Sequence, residues 1–178
     1  MESAKALAEH IDADGPATLP SDVNNDAVAP ALLLGARSVA EIASWLADRL
    51  GEVERATAGT TLPTVAVLVP EEAAVRPLTD ALNKALEDRN LHAVACVDGK
   101  IIGDDEQIRV FDVQHIKGLE FEAVFFVGVD RLAVLHPELF DKFLYVGATR
   151  AATFLGITAA GELPPPLDKL SDQLVPHW

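Results

Sequence analysis

Two short segments of the 178-residue chain hold most of the residues whose types and spacing could support chemistry. One is Gln114-His115-Ile116-Lys117-Gly118-Leu119-Glu120-Phe121, and the other is Tyr145-Val146-Gly147-Ala148-Thr149-Arg150-Ala151. They combine a glycine, which permits tight turns, with a lysine and an arginine, which suit anionic groups such as phosphate. Taken one at a time, these residues more readily fit a plain loop and a solvated helix end. Any function therefore depends on the two segments acting together.

Motifs for independent ATP binding are absent from the sequence. The Walker A pattern G-x-x-x-x-G-K-[ST] does not occur, and the single Gly-Lys pair, Gly99-Lys100, is followed by Ile101 and opens no helix. Asp105 and Glu106 precede a strand-like run, whereas the acidic pair that holds Mg²⁺ follows a strand, so they predict a solvated turn. We therefore expect that this chain does not bind and hydrolyse ATP alone.

Metal and thiol chemistry are disfavoured as well. The five histidines are scattered without the short spacings of a zinc site, so no metal site is predicted. Cys96 lies in an apolar run and predicts a small buried core residue. Because a single cysteine cannot form an internal disulfide, a reducing cytoplasm is the expected location.

The overall charge and length also limit the possible functions. Lys and Arg number 14 against 28 Asp and Glu, which gives a formal net charge of -14. Such a charge repels nucleic-acid backbones and anionic membranes. No apolar stretch approaches the roughly 20 residues of a membrane helix, and the N-terminus lacks the features of a signal peptide. The length suits one compact domain with no membrane association.

The elements that must position the two segments follow from the hydrophobic periodicity. Apolar runs of strand length predict strands at 31–34, 64–69, 91–97, 108–113, 123–129 and 154–158. Helical periods predict helices at 39–50, 71–88 and 137–152. Several strands lack polar alternation, as expected when helices cover both faces of a parallel sheet. The predicted fold class is therefore α/β, with a mainly parallel sheet flanked by helices and a C-terminal tail on the surface.

The first 30 residues differ from the rest of the chain. A short helix is predicted at 4–11, and the following run of Asp, Asn, Pro, Gly and Ala has no apolar period. We interpret residues 1–30 as an N-terminal helix and flexible linker, and residues 31–178 as one domain. A linker this early suggests that the numbered chain begins just upstream of a domain, with an N-terminal part missing.

Considered together, the two segments resemble motifs V and VI of superfamily 1 DNA helicases of the UvrD/Rep/PcrA type. The family patterns are roughly T-x-H-x-x-K-G-L-E-F-x-x-V and [LA]-Y-V-[AG]-x-T-R-A. This chain has both motifs in that order, and the close match covers about 108–158. The resemblance implies a RecA-like, P-loop NTPase-like domain that lacks the P-loop and is the second of two domains enclosing ATP.

The resemblance also implies roles in the nucleotide site. Arg150 is expected to be catalytic, reaching across the cleft to the γ-phosphate, and a permanently charged guanidinium suits phosphoryl transfer. Glu120 matches the glutamate that contacts the nucleotide sugar. We expect both side chains on one exposed face at the carboxyl edge of the sheet, with their charged tips about one nucleotide length apart.

Other motif positions carry supporting roles by the same resemblance. Lys117 and Gly118 match the nucleotide-binding loop where motif V turns. Tyr145 and Thr149 match the helix positions that place the arginine. The neighbouring Lys142 is expected to be a surface charge.

The chain departs from the family pattern at the DNA-facing side of motif V. Asp112 stands where the family has Thr, Gln114 stands where it has His, and His115 falls one residue late. Gln114 and His115 are candidates for coupling to nucleotide or DNA, and the acidic Asp112 is expected to weaken contact with a single strand. Arg37, followed by Ser38, is a candidate for the motif IV arginine, although the Asn and Tyr of that motif are missing.

The implied partners lie outside this chain. They are an N-terminal RecA-like domain carrying Walker A and B and, in the intact enzyme, single-stranded DNA, with ATP and Mg²⁺ only in the complete helicase. An alternative hypothesis is a non-enzymatic regulatory or protein-interaction module that keeps the fold, which the net charge of -14 would suit. A receiver-like domain using Asp112 as phosphoacceptor is disfavoured because no acidic cluster follows the first strand.

Overall fold

A computed structural model describes residues 28–57, 63–165 and 167–178. The strands are β1 (Ala31–Leu34), β2 (Val65–Val69), β3 (Ala93–Ala95), β4 (Ile108–Asp112), β5 (Phe121–Phe126) and β6 (Ala151–Ala159). The α-helices are α1 (Val39–Ala56), α2 (Val75–Ala85), α3 (Val129–Leu135) and α4 (Phe140–Ala148). The helix expected at 4–11 and the linker up to residue 27 lie outside the described residues.

The six strands form one parallel sheet in the order β1-β6-β5-β2-β4-β3. Val65 at the start of β2 pairs with Ile108 of β4 on one side and with Ala123 of β5 on the other. β2 is buried at every position, and β4 and β5 are almost entirely buried. The predicted α/β class and the predicted parallel, buried strands are therefore confirmed.

Helices cover both faces of the sheet because successive side chains of a strand point to opposite sides. Val65, Val67 and Val69 face the layer formed by α1 and α2. Ala66 and Leu68 face the opposite layer, which contains α3 and α4. Both faces are apolar, which is why the strands read as unbroken hydrophobic runs.

The predicted helix at 137–152 is wrong at both ends. Pro137 has no amide hydrogen to donate and disfavours helical backbone at His136, so α3 ends at Leu135 and a separate helix, α4, starts at Phe140. At the other end, Ala151 already pairs with Phe121, so the chain has entered β6 three residues earlier than predicted. Sheet pairing therefore overrides the helical pattern here.

Other boundaries shift as well. The helix predicted at 71–88 is a 3-10 turn at Glu72–Ala74 followed by α2, and the strand predicted at 91–97 shortens to β3. α1 continues six residues beyond the predicted end at residue 50. Within the described ranges, no helix has both the length and the hydrophobicity needed to cross a membrane.

The C-terminal tail was predicted to lie on the surface, but part of it is packed into the core. Leu167 and Leu170, in a 3-10 segment at Leu167–Gln173, are buried on the α3/α4 side. The tail then crosses the outer edge of β1, where Val175 bridges Ala31. Trp178 ends on the other face, with its ring centroid 5.0 Å from that of Phe154. The tail covers a sheet edge and apolar surface that would otherwise meet water.

Candidate functional site

Motif V occupies the connection between β4 and β5, two parallel strands that lie on either side of β2. Because both strands run the same way, residues 113–120 must return from the carboxyl edge of the sheet to its amino edge. The return begins with a tight turn in which Oδ1 of Asp112 accepts the backbone N–H of Gln114 at 2.9 Å. It ends after Gly118, whose φ of +85° lies in the left-handed region that favours glycine.

The position of Asp112 corrects one expectation. Its side chain is buried, with 3% of its surface exposed, and it caps the turn at Gln114. A buried carboxylate needs hydrogen-bond partners, and the Gln114 amide supplies one. Asp112 therefore shapes the loop and does not present an acidic surface to a DNA strand.

Motif VI places Arg150 in the turn between α4 and β6. The Thr149 hydroxyl donates to the carbonyl of Val146 at 3.0 Å, and the Thr149 amide donates to the carbonyl of Tyr145 at 3.0 Å. The Arg150 carbonyl in turn accepts the N–H of Phe121 at 2.9 Å. The backbone that follows motif V is thus hydrogen-bonded directly to the end of motif VI.

Arg150 and Glu120 lie side by side at the amino edge of the sheet, whereas the prediction placed them at the carboxyl edge with their charged tips about one nucleotide length apart. Each residue immediately precedes a strand, so the pair lies at the amino edge and not at the carboxyl edge. Their Nη1 and Oε1 atoms are 3.8 Å apart, which is closer than a nucleotide length. The Glu120 side chain is 87% exposed and that of Arg150 is 27% exposed. An ion pair this exposed to solvent is weak.

A cavity of about 270 Å³ lies between the motif V loop and α4. Its lining residues are Val113, Gln114, Ile116, Lys117, Lys142, Phe143, Val146 and Arg150. Three of these side chains are cationic and none is acidic, which favours anions locally despite the negative charge of the whole chain. The Arg150 Nε atom is buried and has no hydrogen-bond partner among the residues that the structure describes. The cavity can therefore receive an anionic ligand.

The cavity brings together only some of the predicted site residues. Gln114, Lys117 and Arg150 line it, while Glu120 is not among the lining residues and lies next to Arg150. Gly118 shapes the loop, and a Cβ at that residue would meet no atom within 4 Å. Residues from both motifs therefore contribute to one concave surface.

His115 and Arg37 lie elsewhere. His115 Nε2 is 3.7 Å from Glu72 Oε2, and the imidazole ring packs against Gly99. Arg37 follows the carboxyl end of β1, and its backbone N–H donates to Glu41 Oε2 at 2.7 Å. The end of β1 lies beside Ala159, the last residue of β6, whereas Arg150 immediately precedes the first. Eight residues of strand separate these two ends of β6, which corresponds to about 26 Å. The structure does not bring either residue to the cavity.

Lys142 is the charged lining residue that the sequence did not assign to the site. It was expected to be a surface charge, and its side chain is exposed, but it also borders the cavity. The available signal was its spacing, because Lys142, Val146 and Arg150 follow one another at intervals of four residues. Residues four apart lie on the same face of a helix.

Two further features of the described residues concern metal binding and thiol reactivity. Within these ranges, no three His, Cys, Asp or Glu side chains are grouped so that they could hold a metal ion. Cys96 is buried, as predicted. Burial raises the pKa of its thiol, against the lowering effects of a backbone hydrogen bond at Ile102 and the positive charge of Arg109. The thiolate is thus disfavoured, which reduces reactivity.

The parallel α/β sheet and the paired motifs both have counterparts in known proteins. Residues 107–158 match the family described as the UvrD-like helicase C-terminal domain. This match confirms the resemblance carried by motifs V and VI. No curated protein shows significant similarity to the chain.

A solved structure extends the similarity of the fold to almost the whole chain. The C-terminal domain of a possible DNA helicase from Lactobacillus plantarum WCFS1 superposes with a TM-score of 0.64. The alignment covers 93% of this chain and 88% of that one, at 19% sequence identity. At this identity the similarity supports the fold alone, which is a parallel α/β sheet flanked by helices.

Proposed function

We propose that this chain is the C-terminal motor domain of a UvrD-like, ATP-dependent DNA helicase. In this proposal it completes an ATP site whose Walker A and Walker B motifs belong to a separate N-terminal RecA-like domain, and it couples hydrolysis to translocation on single-stranded DNA. ATP and Mg²⁺ bind only in the complete helicase. The buried thiol of Cys96 agrees with a reducing cytoplasm as the place of action.

One observation supports this proposal most directly. Arg150 of motif VI and Lys117 of motif V line the same cavity, although they are 33 positions apart in the sequence. Within the described part of the chain, the guanidinium of Arg150 is paired only through the weak contact with Glu120, and its Nε has no acceptor. An arginine held in this way can exchange Glu120 for phosphate oxygens at small energetic cost.

The chemistry assigned to each residue follows from its type. In phosphoryl transfer, negative charge spreads over the oxygens of the transferred group, and the planar guanidinium of Arg150 can donate two parallel hydrogen bonds to them. The exposed carboxylate of Glu120 can accept hydrogen bonds from sugar hydroxyls. Lys117 adds a positive charge, and Gly118 allows the loop to turn.

A regulatory or protein-interaction module is the second candidate. The net charge of -14 and the exposed apolar side chains of Val134 and Leu139 on the α3–α4 hairpin favour it. This module would use the surface and would not require Arg150. The arginine therefore distinguishes the two candidates.

The test has two stages. The purified chain should show no ATP turnover above a no-protein blank, because it has no Walker A lysine. In a complete helicase, where the chain is joined to a Walker A-bearing motor domain, Arg150→Ala should lower the hydrolysis rate by about 10³ with a modest change in ATP affinity, because the contact strengthens in the transition state.

The matched control is Arg76→Ala, which removes an exposed arginine away from the cavity. This variant should hydrolyse ATP at the unmodified rate. Equal rates for Arg150→Ala and Arg76→Ala would reject the motor function and leave the interaction module. Turnover by the isolated chain that Arg150→Ala abolishes would show that no partner domain is needed.

A further inference from the structure

We propose that Lys142 is a phosphate-binding residue, and that with Lys117 and Arg150 it recognises the phosphate chain of a nucleoside triphosphate. This inference rests on the proposed function, because it assigns one more residue to the same cavity. Lys142 lies outside the motif V and VI segments, so neither motif specifies its role.

The placement of Lys142 supports this role. It lies in the first turn of α4, while Arg150 follows the end of the same helix, and both border the cavity. Eight residues of helix correspond to a rise of about 12 Å. The long side chains of a lysine and an arginine can extend towards each other across this span. A ligand with several negative charges along its length can contact both.

Helix stability does not explain a cation at position 142. The first turn of a helix carries a partial positive charge, so a lysine there is mildly unfavourable. Among the described residues, neither Lys142 nor Lys117 forms an ion pair that would offset this effect. Both ammonium groups therefore remain available to an anion.

The cavity favours a compact polyanion over a nucleic-acid strand. It encloses about 270 Å³ and has apolar walls that include Phe143 and Val146. A strand needs a basic groove that follows many phosphates, usually with aromatic side chains on which bases stack. Here the positive charge is confined to one small cavity, and the chain as a whole carries -14. A triphosphate fits a small cationic cavity because its negative charges are concentrated in a short chain.

Titration with sodium tripolyphosphate tests the proposal on the purified 178-residue chain. Binding is followed by NMR chemical-shift changes at about 50 mM salt, where exposed charges are weakly screened. We expect a dissociation constant of about millimolar for the unmodified chain, since only part of the site is present. Lys142→Gln should raise this dissociation constant about fivefold, which corresponds to the upper end of the free energy of one exposed ion pair.

The matched control is Lys84→Gln, which removes an exposed lysine from α2 on the opposite face of the sheet. It should bind tripolyphosphate like the unmodified chain, although it changes the net charge by the same amount. Lys142→Gln should keep the unmodified melting temperature, because Lys142 is exposed and its side chain forms no ion pair with another described residue.

Several outcomes would overturn the inference. The first is that the unmodified chain does not bind tripolyphosphate. The second is that Lys142→Gln and Lys84→Gln weaken its binding equally. The third is that the unmodified chain prefers a single-stranded oligonucleotide and that Lys142→Gln removes this preference. The proposed function is judged separately by the hydrolysis rate of Arg150→Ala in the complete helicase. A helicase that depends on Arg150 while Lys142→Gln binds tripolyphosphate normally would refute the role of Lys142 alone.

Discussion

Two glycines in the site segments serve different physical purposes. Gly118 has a positive φ, but a Cβ there would meet no atom within 4 Å, so only its backbone conformation favours glycine. Gly147 lies in α4, where alanine is normally the better residue. A Cβ on Gly147 would collide with the ring of Phe126 and would approach Leu68 Cδ1 to 3.1 Å. Gly147 therefore allows α4 to pack closely against the sheet.

Alanine substitutions separate these two effects. Gly147→Ala should lower the free energy of unfolding by about 2 kcal/mol, because overpacking exceeds the gain in helix propensity. Gly118→Ala should lower it by about 1 kcal/mol through backbone strain alone. Urea denaturation measures both values. A Gly147→Ala variant as stable as the unmodified chain would show that α4 can move away from Phe126 at little cost.

Among the larger elements, the C-terminal segment fastens the outer edge of the sheet to α1. The Trp178 backbone N–H donates to Glu52 Oε2 at 2.9 Å, and its indole N–H donates to the carbonyl of Ala29 at 2.7 Å. Arg49 donates to the carbonyl of Pro176 at 2.6 Å. Trp178 also packs against Phe154, so the segment joins a strand, a helix and the residues preceding β1.

Removing the indole tests this element. Trp178→Ala should reduce the free energy of unfolding by about 2 kcal/mol, since it exposes apolar surface and removes one hydrogen bond. His177→Ala, which truncates an exposed neighbour, is the control and should change stability by less than about 0.5 kcal/mol. Thermal and urea unfolding provide the comparison. Equal stability of the two variants would mean that Trp178 does not fasten the sheet edge.

For the whole molecule, the distribution of charge matters more than its sum. The chain carries -14, yet the cavity is lined by three cations and no carboxylate. A local positive potential can attract a small anion while the overall field still opposes a long polyanion. The isolated chain should therefore distinguish tripolyphosphate from DNA.

We expect weak binding of single-stranded DNA by the isolated chain. Fluorescence anisotropy with a labelled oligonucleotide should give a dissociation constant weaker than about 10⁻⁴ M at low salt, because the net charge opposes counterion release. Asp112→Asn should not strengthen binding, since Asp112 is buried in the turn at Gln114. Tight, salt-sensitive binding would reveal a basic groove that outweighs the global charge.

The sequence by itself determined the fold class and the two motifs. Unbroken apolar runs such as 64–69 and 123–129 predicted a parallel sheet covered on both faces, because only such strands avoid polar alternation. The resemblance to motifs V and VI predicted that Arg150 and Glu120 lie on one face of the domain. These features depend on local composition, which the sequence displays directly.

Tertiary structure decided where these residues lie. Pairing of Phe121 with Ala151 ended the last helix early and placed Arg150 at the amino edge of the sheet. Packing of the motif V loop against α4 brought Lys142 to the cavity, and a turn at Gln114 buried Asp112. Each of these outcomes arises from contacts of the completed fold, mostly between segments distant in the chain. Local periodicity cannot specify them, because the pairing partner of a strand is chosen by the packing of the whole sheet.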